Sequence, residues 1–132
     1  MNQSEIEVGR VLLHFEQVVE EYHNVLDELE NYLILPEVES EKLDRLLRRL
    51  RRNRRQLLNG IQTIVDNING LNDSKMKEEA LGLLNYFYIV GLNDDENVLK
   101  KAKEIAQGLS EEIDKDLEIV SKIRSLILKF VY

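Results

Sequence analysis

The residues with most capacity for chemistry are five arginines in one stretch: Arg45, Arg48, Arg49, Arg52 and Arg55. Their three- and four-residue spacing is that of one face of an α-helix. A guanidinium stays charged throughout the working pH range and presents a planar fork of donors to a phosphate or carboxylate. A row of them can follow a nucleic-acid backbone or dock an acidic protein surface. Charge distribution sharpens the point. Residues 42–55 carry eight basic side chains against Asp44 alone, a local net of +7 in a chain whose total is −7, so the remainder carries −14. Such a chain repels nucleic acid at long range and attracts it only at the strip.

The same arginines have a competing use inside the protein. If the chain turns near Pro36, an antiparallel hairpin sets Arg45 level with Asp27, Arg51 and Arg52 with Glu20 and Glu21, and Arg55 with Gln17 and Glu16. Ion pairs at those levels would satisfy part of the strip, each contributing little. Arg54 is different because it falls in the apolar seam. It calls for a carboxylate from another helix, a hydrated break in the core, or a surface left open to a partner. Unless a carboxylate depends on it, Arg54→Leu is expected to be neutral or stabilising.

Other chemistry has weaker support. Glu20 and His23 have the Glu-x-x-His spacing of carboxylate-bridged metal bundles, with Glu16 one turn earlier. Such sites need a second motif, and no histidine follows His23. By helical phase Glu20 and His23 point toward water, so no metal is expected. His14 sits at the stripe's edge without a nucleophile or an orienting carboxylate. There is no Gly-x-Gly-x-x-Gly and no Gly-Lys-Ser/Thr phosphate loop. Catalytic residues, cofactor, metal and small-molecule substrate are all expected to be absent, and the chain reads as a non-enzyme. Tyr86, Phe87 and Tyr88 read as core or interface rather than as a base-stacking platform.

The elements that position these residues follow from apolar periodicity. Leu43, Leu47, Leu50, Leu57, Ile61, Ile64 and Ile68 alternate four- and three-residue steps, drawing a seam along a helix of roughly 28 residues, about 42 Å at 1.5 Å per residue. Before it, Val8, Val11, Phe15, Val18, Tyr22, Val25, Leu29 and Tyr32 draw another. Ser4 and Glu7 have capping-box spacing at its start, and Pro36 ends it and can open the next helix. Gly70-Leu71-Asn72-Asp73, Gly91-Leu92-Asn93-Asp94 and Gly108-Leu109-Ser110-Glu111 read as three joints. In each the glycine is expected to be left-handed beyond a helix end and the following polar residue to cap the next helix. The segment 74–90 is apolar nearly all round, which suits the middle of a bundle or a half-exposed partner face. Gly9, Gly60 and Gly82 are expected to permit close helix approach.

The fold expected is therefore all-α, a single domain over 1–132. It is an antiparallel up-down bundle of four to five helices with a long N-terminal helical hairpin. Helices are expected at about 4–35, 37–69, 74–90, 94–107 and 110–131. The last two keep one helical phase and are open to reading as one kinked helix, but a break at Gly108 fits the bundle length better. No cysteine is present, no N-terminal stretch resembles a signal peptide, and no apolar run is long enough to span a membrane, so a cytoplasmic location is expected.

Functionally, the pattern points first to a non-catalytic interaction protein (a small adaptor, chaperone or assembly subunit) that presents helix faces to a protein partner or to another copy of itself. The alternative is an accessory nucleic-acid-binding subunit that contacts phosphates through Arg45, Arg48, Arg49, Arg52 and Arg55.

Overall fold

The computed structural model describes residues 1–131. Five α-helices account for most of them: α1 (Gln3–Leu33), α2 (Ser40–Asn67), α3 (Ser74–Tyr86), α4 (Leu92–Ile105) and α5 (Ser110–Ile127). Among the described residues there is no strand, and no helix is long and apolar enough to cross a membrane. The all-α fold is as the periodicity requires. Cross-helix contacts give the directions. Asn2 meets Gly70 and Tyr32 meets Glu39, so α1 and α2 are antiparallel. Lys103 meets Asp114 and Arg124 meets Asn93, so α4 and α5 are antiparallel too. The two pairs join through α1–α4 and α2–α5 contacts.

The seams bury as their spacing demands. Leu43, Leu47, Leu50, Leu57, Ile61, Ile64 and Ile68 of the α2 strip are all buried, as are Val8, Phe15, Tyr22, Val25, Leu29 and Tyr32 of α1. Val11 and Val18 are only partly buried. Gly60 lets the hairpin close: a Cβ there would stand 2.6 Å from Phe15 Cε1. Gly82 has open space around it and mediates no approach, contrary to expectation.

Several boundaries differ from those expected, each through a contact the local pattern does not contain. The N-cap of α1 is Asn2 rather than Ser4: its Oδ1 accepts the Glu5 N–H at 2.8 Å, while Glu5 Oε1 accepts the Asn2 N–H at 3.1 Å. Glu5 wins the role because its other oxygen accepts the Asn72 and Asp73 N–H groups, tying the start of α1 to the α2–α3 loop. Pro36 does not open α2. The chain runs on to Glu39, whose N–H donates to the Tyr32 hydroxyl at 2.7 Å, and helix begins at Ser40. Across the hairpin Arg49 meets Glu28, five residues from the position a turn at Pro36 sets level with it.

Of the three glycine joints, none has glycine at positive φ. Asp73 does cap α3, accepting the Lys75 and Met76 N–H groups. At Gly91 there is no break: Phe87–Gly91 forms a π turn and the helix runs on into α4, so α3 and α4 are continuous. Gly91 serves close packing there, with Phe87 Cδ1 3.0 Å and Tyr22 Cε2 3.5 Å from where a Cβ would lie. The segment is not buried all round: Ala80, Leu84 and Phe87 face the core while Ile89 and Val90 are exposed. The break between α4 and α5 is real, placed at Ala106 (φ −120°, ψ 80°) and followed by a short 3-10 turn before Ser110.

Candidate functional site: the arginine face of the second helix

Seven arginines lie on α2, and the bundle divides them into two groups. Arg45, Arg48, Arg49, Arg52 and Arg55 are exposed, on the side away from the leucine seam. With the half-buried Arg51 they wall a shallow groove of about 550 Å³ to which no other residue type contributes. Arg48 pairs with Asp44 one turn earlier at 2.8 Å, and Arg49 Nη1 donates to Glu28 Oε2 at 2.6 Å. Among the described residues, Arg45, Arg52 and Arg55 have no carboxylate within 4.0 Å. The pairings expected for a turn at Pro36 are thus replaced: Arg51 leaves Glu20 and Glu21 for Asp116 of α5, and only Arg49 reaches across to α1.

Arg54 belongs to the other group. It is 1% exposed and is the largest fully buried side chain of the described residues. Its Nε donates to Asp95 Oδ2 at 2.8 Å and its Nη2 to Asp95 Oδ1 at 2.5 Å. The Tyr22 hydroxyl donates to the same Asp95 Oδ2 at 2.6 Å. Asp116 Oδ1 lies 3.2 Å from Arg54 Nη1, and Asp116 accepts two hydrogen bonds from Arg51 at 2.7 and 2.8 Å. Four helices are therefore joined at one level by two guanidinium groups, two carboxylates and the Tyr22 hydroxyl. Arg54 Nη1 is near Asp116 but off the hydrogen-bond axis. It is the one buried side-chain nitrogen or oxygen without a partner among the described residues.

The electrostatics follow from burial and partners. Burial opposes the charged form of Arg54, but the Asp95 charge and hydrogen bonds, then the Asp116 charge, outweigh it and raise the pKa. For Tyr22, burial first and Asp95 second push the phenol well above its ordinary value, so it remains a donor. The hydrogen bonds of Asp116 raise Arg51 despite its partial burial. With two guanidinium groups matched to two carboxylates, this cluster ties α1, α2, α4 and α5 together at one level.

Of the three outcomes the seam position of Arg54 allows (a carboxylate from another helix, a hydrated break, or an open surface), the structure has the first, supplied by Asp95 and Asp116. A signal existed: Asp95 continues the seam of Leu92, Val98 and Leu99, and Asp116 sits between Ile113 and Val120, so three charged residues occupy seam positions on three helices. Leu117, the apolar neighbour of Asp116, is only partly buried because Asp116 takes the inward position.

The histidines are placed apart. His14 is exposed. His23 does not point into water: it is half-buried, hydrogen-bonded through its ring to the Tyr86 hydroxyl and packed edge-on against that ring. Glu16 and Glu20 are exposed, and no three His, Asp or Glu side chains converge on a point that could hold a metal ion among the described residues. Phe87 packs edge-to-face against Phe15, Tyr22 and Tyr86, which places it in the core. No protein-family model, no curated protein and no solved structure matches this chain.

Proposed function

We propose that the protein is a non-catalytic interaction module that docks an acidic protein surface on the outward arginine face of α2. One observation supports this above the others. Arg45, Arg52 and Arg55 stand exposed without a carboxylate among the described residues, while Arg51 and Arg54 of the same helix are consumed by the fold. Cations whose only partners are water and one another gain from an acidic partner without first losing an internal one. The two pairs that do exist on this face, Arg48–Asp44 and Arg49–Glu28, are exposed and inexpensive to exchange. The seam beneath is committed to the core, so docking presents a charged helix face and does not open the bundle.

A phosphate backbone is the rival occupant, favoured by the purely arginine lining of the groove. The −14 carried by the rest of the chain opposes any anionic partner, and most of all a duplex with one charge per ~1.7 Å of axis. A native pull-down on the tagged protein, with and without nuclease, separates the two. Retention of an acidic protein after nuclease, lost in the triple variant Arg48→Glu, Arg49→Glu, Arg52→Glu, is the expected result. Retention that vanishes with nuclease would transfer the site to nucleic acid.

A further inference from the structure

The exposed face shared by α1 and α2 carries two stripes of opposite sign. On α1, Glu21, Asp27 and Glu28 are exposed, and on α2, Arg49 and Arg52. These five wall a groove of about 610 Å³ whose remaining lining is asparagine and glutamine, with no apolar side chain. Arg45 extends the basic row one turn toward the start of α2. Within one molecule only Arg49 and Glu28 pair across the groove. Glu21 and Asp27 have no basic partner among the described residues, and Arg52 has no acidic one. Each stripe thus retains charge that the other does not neutralise.

We infer that this face pairs two copies of the chain about a twofold axis parallel to the helices. The inference rests on the reading of α2 as a docking surface and names a second copy as its partner. Rotation about such an axis lays the α1 of one copy over the α2 of the other, acid over base, and does so twice. It also preserves height along the helices. Glu28 stands level with Arg49 in the hairpin, so Glu28 of the second copy arrives opposite Arg49, with Glu21 and Asp27 above and below Arg52. A twofold lying across the helices would stack acid on acid and is disfavoured. The face is wholly polar, so the contact is governed by charge and forms and breaks readily, unlike an obligate apolar interface. The overall charge of −7 on each copy acts against association at long range, and the stripes act at contact.

Charge-swapped variants test this by sedimentation velocity, with circular dichroism confirming the helical signal. One variant reverses the basic stripe (Arg49→Glu, Arg52→Glu) and the other the acidic stripe (Glu21→Lys, Asp27→Lys, Glu28→Lys). The wild-type chain is expected to dimerise at about 0.1 M salt and to lose about tenfold in affinity at about 1 M. Each variant alone is expected to be monomeric, because like charge then covers both stripes, and an equimolar mixture is expected to recover the dimer. A wild-type chain that stays monomeric at about 0.5 mM, or variants that dimerise alone, or a mixture that does not pair, would overturn the inference. A monomeric wild type that still retains a nuclease-resistant acidic protein in the pull-down would remove self-pairing alone and leave the docking reading standing.

Discussion

Arg54 holds Asp95 through two parallel hydrogen bonds, Nε to Oδ2 at 2.8 Å and Nη2 to Oδ1 at 2.5 Å, with the arginine 1% and the aspartate 0% exposed. Where no carboxylate depends on Arg54, leucine there is expected to be neutral or stabilising, since it completes a row of leucines and isoleucines. The pairing reverses that expectation. Arg54→Leu would strand the Asp95 carboxylate in the core with only the Tyr22 hydroxyl as a strong partner. The expected cost is about 3–5 kcal/mol, read as a lower urea midpoint. The double variant Arg54→Leu, Asp95→Leu should recover most of that loss, because an apolar pair of similar volume often replaces a buried ion pair at little cost. A single variant with the wild-type midpoint would mean that the two groups are not paired in solution.

Gly60 and Gly82 offer a matched pair of tests for where the hairpin is tight. Alanine at 60 would press a methyl group to 2.6 Å from the buried Phe15 ring, which also packs edge-to-face on Phe87. The ring must move, and the expected loss is about 1–3 kcal/mol, as for other overpacked core positions. Gly82 is exposed within α3 with nothing near its missing Cβ. There alanine should add about 0.5–1 kcal/mol through helix propensity alone. Thermal midpoints moving in the same direction for both variants would contradict the α1–α2 packing described.

The contrast between those two glycines shows what the sequence could and could not convey. Apolar periodicity is a property of one helix, so the seams of α1 and α2, the helical class and the refolding at Ser110 were all legible. A glycine in a helix looks the same whether it faces Phe15 or open space, so Gly60 and Gly82 could not be told apart. The turn between α1 and α2 departs from the local pattern for a related reason. The Tyr32 hydroxyl holds the Glu39 N–H at 2.7 Å and lets the chain run past Pro36 before helix resumes. Helix resumes only at Ser40, Arg49 meets Glu28, and Arg51 turns to Asp116 of α5, so none of the arginine–carboxylate pairings expected across the hairpin forms. At the candidate site, the five outward arginines were legible because they too are a single-helix pattern. Asp95 and Asp116 stand out on their own helices as charged residues in apolar seams, but the arginines they meet lie 41 and 65 residues away, and that pairing is no property of a single helix.

Glu5 supplies a prediction in pH. Its carboxylate accepts the Asn2, Asp73 and Asn72 N–H groups, and these bonds, the first of them largest, hold its pKa below the ordinary 4.5 against the opposing effect of burial. A depressed folded-state value means that the stabilisation is fully present above the unfolded value. It is lost as pH falls below 4.5 and through the lower folded value. Glu5→Gln should therefore lower the urea midpoint at about pH 7 and differ progressively less from wild type toward about pH 2. A gap between the two proteins that stays constant across that range would show that the carboxylate's charge is not what these backbone groups recognise.

The arginine face yields the prediction with most bearing on function. If Arg45, Arg48, Arg49, Arg52 and Arg55 tracked a phosphate backbone, they would make about four contacts, and affinity would fall with a log–log salt slope of about −3 to −4. The same face has Glu28 already on Arg49 and Asp44 on Arg48, and it belongs to a chain whose remaining residues total −14. Phosphates approaching the groove meet that repulsion within about a Debye length, ~8 Å at physiological salt. The isolated chain is therefore expected to give no gel shift with random DNA or RNA at about 150 mM salt. Lowering salt to about 20 mM should strengthen the repulsion from the acidic surface along with the attraction of the strip, so binding should stay weak there as well. Replacing Arg48, Arg49 and Arg52 with glutamate should leave the helical signal intact, since all three side chains are exposed on the side away from the seam. A clear shift at about 150 mM that disappears in this triple variant would reverse the ranking of partners and make α2 a nucleic-acid surface.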